Sequence, residues 1–366
     1  MNLKRDTYAI VDLDKLKYNV ELAHNEFKRP LMAVIKADAY GHGYKEVASF
    51  LKDIDYIEMF AVATLPEAIE LRELGIDKGI LILGAIPTSK KDIDLAIKYD
   101  ISLTMVSIDY LKLLDCLVEP GQTLKIHIKL DTGMHRIGLM TQEELTTLLE
   151  LINPDKFDVE GIFTHFATAD GDNEAFEKQR TLFYQMVGNC KYRYIHCCNS
   201  AAMTYHGDDK SNMGRLGITM YGCAPDGNEQ HQFKQVMSLY TKVAMIKKIK
   251  AGDKVGYGLT YEAQEDEYIA TLPIGYADGL IRKNKGRNVY INGKYCQIVG
   301  NVCMDQMMVR VDKDVKIGDQ VEIFGEHISL ESMAKDLDTI SYEVLCLISK
   351  RVPRVYIQNG QVKELI

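Results

Sequence analysis

The chain has 366 residues, of which 46% are hydrophobic and 26% are charged, and its formal net charge is −8. This composition is typical of a globular protein with one or two domains, and the negative charge argues against nucleic acid or an anionic membrane as the main partner. No N-terminal targeting pattern is present, and no apolar run reaches the roughly 18 residues of a membrane span, so we expect a cytoplasmic protein.

The eight cysteines form no CxxC pair and show no spacing that is typical of a metal site. Cys197 and Cys198 are adjacent and poorly placed to pair with each other. We therefore expect eight reduced thiols, most of them filling the core, and no bound metal.

A first strand is predicted at residues 8–13, followed by a helix around residues 16–26. Eight more strand-like segments then alternate with helical ones, and their starts are roughly 20 to 35 residues apart, the size of a βα unit. These strands are predicted at residues 31–36, 59–64, 79–83, 101–107, 124–131, 159–165, 192–199 and 212–215. Eight such units predict a (β/α)8 barrel. The strand at residues 8–13 is then surplus, and we expect it to pair with a second domain.

The pattern changes after Tyr221. A polar connector at residues 224–231 leads to short alternating segments with tight turns such as Asn292-Gly293, interrupted by helical spacing within residues 329–349. We predict an α/β protein of two domains, with a TIM-type (β/α)8 barrel over residues 1–232 and a mainly β domain over residues 233–366.

Lys36 follows the apolar segment 31–35 at a point where a core strand would continue with another hydrophobic residue. Desolvation at such a strand end is expected to lower the pKa of a lysine, which favours the neutral amine that forms a Schiff base. Gly41 and Gly43 then break the strand and let the backbone approach a ligand closely. On this stretch alone, a lysine that reaches solvent explains the pattern equally well.

Polar residues also end four other predicted strands, and in barrel enzymes reactive groups gather at the carboxyl ends of the strands. They are Lys129 with residues 131–136, His165, Asn199 with Ser200, and Arg215. Taken singly, His165 fits a buried core histidine and Arg136 fits a surface ion pair. The turns at Ser200 and Gly217 could hold a phosphate through backbone N–H groups, although simple tight turns would look the same.

Residues 34–43, Val-Ile-Lys-Ala-Asp-Ala-Tyr-Gly-His-Gly, resemble the pyridoxal-phosphate (PLP) lysine motif of bacterial alanine racemases. Other segments resemble the family in the same order, at residues 129–138, 164–170, 199–202, 215–222, 255–261, 273–279 and 303–306. The resemblance extends over essentially the whole chain. It implies a PLP enzyme that interconverts L- and D-alanine for cell-wall peptidoglycan, and a head-to-tail homodimer whose active sites are shared between subunits.

The resemblance also implies roles for individual residues. Lys36 would hold PLP and act as the base for the D-enantiomer, and Tyr257 of the partner subunit would act on the L-enantiomer. Arg215 would face the pyridine nitrogen and leave it unprotonated, with His165 behind it. The implied cofactor-binding residues are Lys36, Tyr40, His165, Asn199, Ser200, Arg215, Gly217 and Ile218. The implied substrate-binding residues are Arg136, Tyr276, Met304 and Asp305, and Lys129 would carry a carbamate that orients Arg136.

Three alternatives remain at this point. Lys350 stands where some family members have a tyrosine near the phosphate and the substrate, which leaves a serine racemase or a racemase of broader specificity open. A PLP decarboxylase of the same two-domain type would place a carboxylate at the pyridine nitrogen, which Arg215 opposes. A non-catalytic PLP-binding barrel would lack the second domain that contains Tyr257.

Overall fold

The computed structural model describes residues 5–86, 89–207 and 210–363. The chain divides into two compact units. The unit named here the barrel unit comprises Val20–Ala39 and Tyr44–Met220. The unit named the β unit combines the N-terminal segment through Asn19, the short segment Tyr40–Gly43 and the chain from Tyr221 onward.

The first two elements are β1 (Tyr8–Asp12) and α1 (Leu13–Phe27). In β1, Ala9 and Val11 are buried and alternate with less buried residues, as expected for a strand. In α1, buried apolar residues recur every three or four positions, at Leu13, Leu16, Val20, Ala23 and Phe27. This spacing places them along one stripe of the helix.

The barrel unit is built on a parallel sheet of eight strands in the order β8-β7-β6-β5-β4-β3-β2-β9. The strands are β2 (Leu31–Val34), β3 (Ile57–Val62), β4 (Gly79–Ile82), β5 (Ser102–Met105), β6 (Leu124–Lys129), β7 (Phe157–Phe163), β8 (Tyr194–His196) and β9 (Gly214–Leu216). The two ends of the sheet are linked by backbone hydrogen bonds from Asn212 N to Ile195 O (3.0 Å) and from Arg215 N to Cys198 O (2.9 Å). The sheet therefore nearly closes, and the predicted (β/α)8 barrel is confirmed.

Helices follow the strands along this part of the chain. They are α2 (Lys36–Tyr40), α3 (Tyr44–Leu51), α4 (Leu65–Glu73), α5 (Lys90–Lys98), α6 (Ile108–Leu117), α7 (Gln142–Leu151), α8 (Asn173–Val187) and α9 (Ser200–Tyr205). The sequence explains several helix starts, because Thr64 with Glu67 and Thr141 with Glu144 form reciprocal capping boxes at α4 and α7. A short 3-10 turn, Ile218–Tyr221, follows β9.

The β unit contains a ten-stranded sheet in the order β11-β14-β17-β16-β15-β18-β10-β1-β19-β20 and a separate ladder of β12 and β13. The strands are β10 (Met237–Lys242), β11 (Met245–Ile249), β12 (Lys254–Val255), β13 (Tyr261–Glu262), β14 (Glu267–Leu272), β15 (Asn288–Ile291), β16 (Lys294–Val299), β17 (Met307–Val311), β18 (Gln320–Phe324), β19 (Arg354–Gln358) and β20 (Gln361–Val362). Strand β1 pairs with β10 antiparallel and with β19 parallel. Two helices, α10 (Leu330–Asp336) and α11 (Ser341–Leu347), complete the unit. The C-terminal part is mainly β, as predicted.

Two details differ from expectation. The strand predicted at residues 31–36 ends at Val34, so Lys36 begins α2 and does not end the strand. All eight cysteines are reduced, but fewer fill the core than expected, because Cys116, Cys190 and Cys346 are exposed. Within the described ranges, every helix is too short or too polar to span a lipid bilayer.

Candidate active site

Lys36 is followed by a turn of left-handed backbone. Four consecutive residues have φ between 53° and 56°: Ala37, Asp38, Ala39 and Tyr40. Left-handed helical conformation costs L-residues roughly 1–2 kcal/mol each, so this turn needs support from its surroundings. In the barrel unit, Glu67 Oε1 accepts a hydrogen bond from Ala37 N (2.8 Å) and Asp38 Oδ1 accepts one from Tyr44 N (3.0 Å). These contacts fix the backbone directly after Lys36.

Arg215 is buried in the barrel unit and held by acceptors on several strands. Its Nη2 donates to Thr164 O (2.8 Å) and Cys197 O (3.3 Å), and its Nη1 donates to His196 O. The guanidinium also faces Nδ1 of His196 (3.1 Å) and Nδ1 of His165 (3.3 Å). Burial lowers the pKa of Arg215 to about 10, so the side chain remains a cation at neutral pH. The result is a fixed positive charge with a defined orientation.

His165 marks the point where the cationic residues of the barrel unit converge. Burial lowers its pKa well below the ordinary value, and nearby positive charges lower it further. Those charges belong to Arg215, Arg136, Lys129 and Lys36. Four predicted site residues from three segments therefore act electrostatically on one imidazole, which stays neutral at pH 7.

His196 was missed in the sequence analysis although it contacts Arg215 as closely as His165 does. It is the last residue of β8, and the Phe163 ring stacks on it with centroids 4.7 Å apart. The sequence does show a histidine inside a short apolar strand. This pattern predicts a functional histidine only weakly, because the sequence does not show which strand provides its hydrogen-bond partner.

Lys129 is the last residue of β6 and is buried. Its Nζ donates to Leu130 O and lies 5.7 Å from the centroid of the Phe163 ring. Burial, followed by the charge of Arg215, lowers the pKa of Lys129 to about 7, while Asp131 acts in the opposite direction. A substantial fraction of Lys129 is therefore a neutral, nucleophilic amine near neutral pH.

The loop that carries Arg136 is organised by the carboxylate of Asp131. Asp131 accepts backbone hydrogen bonds of 2.9–3.1 Å from Gly133, Met134, His135 and Arg136. Burial alone would raise the pKa of Asp131, but the hydrogen bonds from His135 and Gly133 and the charge of Lys129 hold it below its ordinary value. Arg136 is exposed at the end of this fixed loop.

The turns that follow β8 and β9 are joined by a hydrogen bond, in which Gly217 N donates to Ser200 Oγ (2.9 Å). Asn199 caps α9, since its Oδ1 accepts from Ala202 N (2.9 Å). Ser200 and Ile218 are buried beside this bond. The structure therefore brings together the two segments in which a phosphate site was predicted, and the side-chain oxygen of Asn199 serves the helix cap.

Tyr40 belongs to the β unit and is buried. Its ring lies 4.8 Å from that of Tyr221 and 6.0 Å from that of Tyr342. Burial, followed by the effect of Cys346, raises the pKa of Tyr40, so its phenol stays protonated. The next residue, Gly41, has φ 80°, and a Cβ there would lie 2.5 Å from Leu345 O. Only glycine fits this close approach of two backbone segments.

Four predicted residues of the β unit form what we call the Tyr257 face: Tyr257, Tyr276, Met304 and Asp305. Their segments are tied together, because Asn301 Nδ2 donates to Tyr257 O (2.7 Å), Tyr276 N donates to Cys303 O (3.0 Å) and Ala277 N donates to Met304 O (3.0 Å). The exposed fractions of Tyr257, Tyr276 and Met304 are 74%, 42% and 53%. The face thus presents large side chains to solvent on a fixed backbone.

An ion-pair network centred on buried Asp278 lies beside these segments. Asp278 accepts a hydrogen bond from Arg5 Nη1 (2.6 Å) and forms an ion pair with Arg351 Nε (3.1 Å), and Arg351 Nη2 pairs with Asp305 Oδ1 (2.7 Å). Gly275 is required in this region, since a Cβ there would lie 2.3 Å from the carbonyl oxygen of Cys303. Lys350 directly precedes Arg351 and is exposed.

Comparison with known proteins identifies relatives along the whole chain. Residues 11–225 match the family model "Alanine racemase, N-terminal domain", and residues 236–356 match "Alanine racemase, C-terminal domain". The alanine racemase of Ligilactobacillus salivarius is 42% identical over 367 residues, covering 96% of this chain and 98% of that protein.

Solved structures agree with the sequence comparison. The crystal structure of alanine racemase from E. faecalis superposes with a TM-score of 0.92 at 39% identity, covering 98% of this chain and 100% of that one. That of alanine racemase from Bacillus anthracis with bound L-Ala-P gives a TM-score of 0.92 at 36% identity, covering 100% of this chain and 98% of that one.

Proposed function

The chain belongs to the alanine racemase family and is an isomerase that acts on alanine, and we propose that it works with PLP and two proton carriers, Lys36 and Tyr257. The proposal rests mainly on one observation, that three reactive or polar side chains occur at or just after three neighbouring strands of the barrel. Lys36 follows β2, Arg215 lies in β9 beside it, and Ser200 follows β8, whose end is hydrogen-bonded to β9. An amine, a fixed cation and a polar turn therefore occur at adjacent strand ends.

These three groups fit PLP. Lys36 has the amine that reacts with an aldehyde, and Arg215 suits a ring nitrogen. Ser200 with the amides of Gly217 and Ile218 suits a phosphate, which would replace Ser200 Oγ as the acceptor of the Gly217 N–H. PLP, when bound, supplies the electron sink that makes the Cα–H bond of an amino acid acidic. Tyr40 and the remaining amide group of Asn199 complete the proposed set.

Arg215 controls the strength of this electron sink. Arginine donates hydrogen bonds and does not accept them, and it keeps its proton at physiological pH. It would therefore leave the ring nitrogen of bound PLP unprotonated, which would weaken the sink and limit side reactions at Cα. The carbonyls of Thr164, His196 and Cys197 fix the guanidinium in this role, and His165 lies against it.

Racemisation requires a proton to leave one face of Cα and return on the other. One proton carrier cannot reach both faces of a bound substrate, so two are needed. We assign Lys36 to the D-enantiomer and Tyr257 to the L-enantiomer. Arg136 would bind the substrate carboxylate, and the Tyr257 face would line the substrate end.

The large exposure of the Tyr257 face supports a second proposal, a head-to-tail homodimer with shared active sites. Exposed aromatic and methionine side chains are enriched at protein interfaces. A tyrosine in contact with water also lacks the fixed position that proton transfer needs. Covering Tyr257 with the barrel unit of the partner subunit would supply both the burial and the position.

Lys129 supports a further proposal within the barrel unit, namely a carbamate. Its neutral amine can add to CO2 and lose a proton, which converts a site of positive charge into a negative one. The resulting anion would attract Arg136 and hold its guanidinium toward the substrate carboxylate. The observation that favours this modification is the burial of Lys129 at the end of β6, which lowers its pKa to about 7.

The proposed biological role is the supply of D-alanine for peptidoglycan from the cytoplasm. It is tested with the purified protein, incubated with a panel of L-amino acids with and without added PLP, while the D-enantiomers are quantified. We expect PLP-dependent conversion of alanine well above that of serine. Conversion of serine at the rate of alanine, or activity that persists after PLP has been removed, would contradict the proposal.

A further inference from the structure

A line of buried polar side chains leads away from Arg215 through the barrel unit. Nδ1 of His196 faces Nη1 of Arg215 at 3.1 Å, and Nε2 of His196 lies 2.9 Å from Nδ1 of His127. Nε2 of His127 in turn lies 3.7 Å from Oε2 of Glu160. The two imidazoles are fully buried, and Glu160 is 6% exposed. The three residues belong to the neighbouring strands β6, β7 and β8.

The positions of the protons along this line follow from the chemistry of arginine, which can only donate. His196 must present the lone pair of Nδ1 to Arg215, so its proton is on Nε2. That Nε2–H donates to Nδ1 of His127, so the His127 proton is on Nε2 and is directed toward Glu160. A second proton on either imidazole would set two N–H groups against each other.

We infer that His127 is a positioning residue for Arg215, acting through His196. It fixes His196 as the neutral Nε2–H tautomer, while its own Nε2 is buried beyond hydrogen-bonding distance of the Glu160 carboxylate, at 3.7 Å. The hydrogen bond at one ring nitrogen decides which tautomer the other nitrogen presents. Only the effect on racemisation rests on the proposed function, because the tautomers follow from the contacts within the barrel unit.

The surrounding packing is shaped for His127. A Cβ on Gly161 would lie 2.5 Å from Nδ1 of His127, so β7 needs a glycine at this position. Glu160 is held by Ser102 Oγ (2.6 Å) and Arg193 Nη1 (3.2 Å). Burial alone would raise the pKa of Glu160, but His127 and Ser102 keep it below the ordinary value, so Glu160 is ionised.

The line also has an electrostatic effect. Burial lowers the pKa of both His127 and His196, which agrees with two neutral rings. In this orientation each ring turns the negative end of its dipole toward Arg215, and a carboxylate terminates the line. Hydrogen-bonded groups in a medium of low dielectric polarise one another. The line therefore stabilises the buried charge of Arg215 without placing a carboxylate against it.

The test uses ¹⁵N NMR of imidazole nitrogens in the purified protein and in three variants. His127→Leu removes the acceptor for His196. His127→Asn keeps an acceptor, since its Oδ1 can occupy the place of Nδ1. His24→Leu is the matched control, because His24 bonds to the carbonyl of Arg29 and stacks on Tyr56, outside this line. Racemisation and urea unfolding are measured on the same samples.

In the parent protein we expect a pyridine-type Nδ1 and a pyrrole-type Nε2 signal for both His127 and His196. His127→Leu should move His196 toward mixed tautomers and slow racemisation about tenfold. His127→Asn should restore the His196 signals and most of the rate, and His24→Leu should change neither. Should His127→Leu fail to fold, the tautomers of the parent protein and of His127→Asn decide the test.

A proton on Nδ1 of either histidine in the parent protein would overturn the inference. A His127→Asn variant that racemises as slowly as His127→Leu would also overturn it. Equal rates would mean that the loss of packing around the ring, and not the loss of the hydrogen-bond acceptor, slows the reaction. If the expected tautomers are found in a protein that does not racemise alanine, the line of hydrogen bonds stands and the proposed function fails.

Discussion

Lys129 and Arg215 of the barrel unit lie in surroundings opposite to those of the Tyr257 face of the β unit. In the barrel unit, Lys129 and Arg215 are buried among carbonyls and imidazoles, and burial shifts the pKa of both. In the β unit, Tyr257 and Met304 extend into solvent from a backbone that is fixed by hydrogen bonds. Lys129 and Arg215 are thus already shielded from water, whereas Tyr257 and Met304 have a fixed backbone but solvated side chains.

This difference indicates what each unit still requires. Preorganised charges act strongly where water is excluded, and the barrel unit provides that condition for Arg215 by itself. Under the proposed function, Tyr257 would act as a proton carrier only after another surface covers it. Substitutions of buried residues in the barrel unit should therefore lower the stability of a single chain, whereas substitutions on the Tyr257 face should have an effect only in an assembly.

The largest effect is expected at Lys36. Lys36→Ala should remove the site of cofactor attachment and one proton carrier, and so lower racemisation by at least about 10²- to 10⁴-fold. Borohydride reduction of the parent protein followed by peptide mapping should find the PLP adduct on Lys36. Lys91→Ala, at an exposed helical position, is the control. An adduct on another lysine would contradict the assignment.

Arg215→Lys is the sharpest test of the buried set. A guanidinium serves the carbonyls of Thr164, His196 and Cys197 at once, whereas an ammonium cannot reach all of them. We expect the free energy of unfolding to fall by about 2–4 kcal/mol, together with a lower kcat. Arg215→Glu is a poorer probe, because its carboxylate would face the same carbonyl oxygens.

Urea unfolding and initial rates measure the two effects of Arg215→Lys. Arg180→Lys, at a surface ion pair with Glu177 in the same unit, should leave both within error. A stable and fully active Arg215→Lys protein would show that the fixed orientation of the guanidinium has no consequence.

Much of the architecture could be predicted from sequence, because alternating apolar strands and helical spacing are local patterns. All eight barrel strands are found near their predicted positions. The backbone after Lys36 could not be predicted, since Ala37–Tyr40 contains no glycine that would signal left-handed conformation. The contacts of Glu67 and Asp38 that hold it depend on the folded barrel unit.

The candidate site shows the same limit. Lys129, His165, Ser200 and Arg215 could be named as candidates because polar residues end apolar strands. His127 and Glu160 were missed, since their meeting depends on the register between β6 and β7, which has an irregularity next to His127. Neither the register nor this irregularity is visible in the sequence. The domain boundary at residue 232 and the individual residue roles stay predictions.

Lys129 should make stability depend on pH. Its folded pKa of about 7 lies below the ordinary 10.5, so between these values the unfolded chain binds a proton that the folded chain does not. Stability contributed at this site therefore rises with pH across that window and is lost as the pH falls toward 7. Lys129→Met should flatten the rise, measured by urea unfolding in CO2-free buffer, and Lys125→Met should not.

The same residue allows a test of the modification. In buffer with bicarbonate, native mass spectrometry should detect one added CO2 on the parent protein and none on Lys129→Met. In the unfolding experiment, the free energy of unfolding of the parent and of Lys129→Met could instead rise with pH at the same slope. That result would mean that the folded protein does not hold Lys129 as a neutral amine.

The smallest effect is expected at Lys350, an exposed residue of the β unit. Lys350→Tyr should shift the ratio of serine to alanine conversion by a few-fold to about tenfold, because one hydroxyl or methylene in a pocket changes discrimination by roughly that amount. Lys335→Tyr, on the exposed surface of α10, is the control. A ratio that is unchanged within error would remove Lys350 from the determinants of specificity.

The proposed active site joins the barrel unit of one chain to Tyr257 of another, and an exchange of subunits between two inactive variants tests this arrangement. Lys36→Ala and Tyr257→Phe homodimers should each be nearly inactive, because each lacks the proton carrier for one face of Cα. After the two proteins are mixed and exchange is verified by native mass spectrometry, a mixed dimer would hold one site with both carriers and one with neither. The account predicts that racemisation returns in proportion to the mixed dimer. Verified exchange without any return of activity would contradict the shared site.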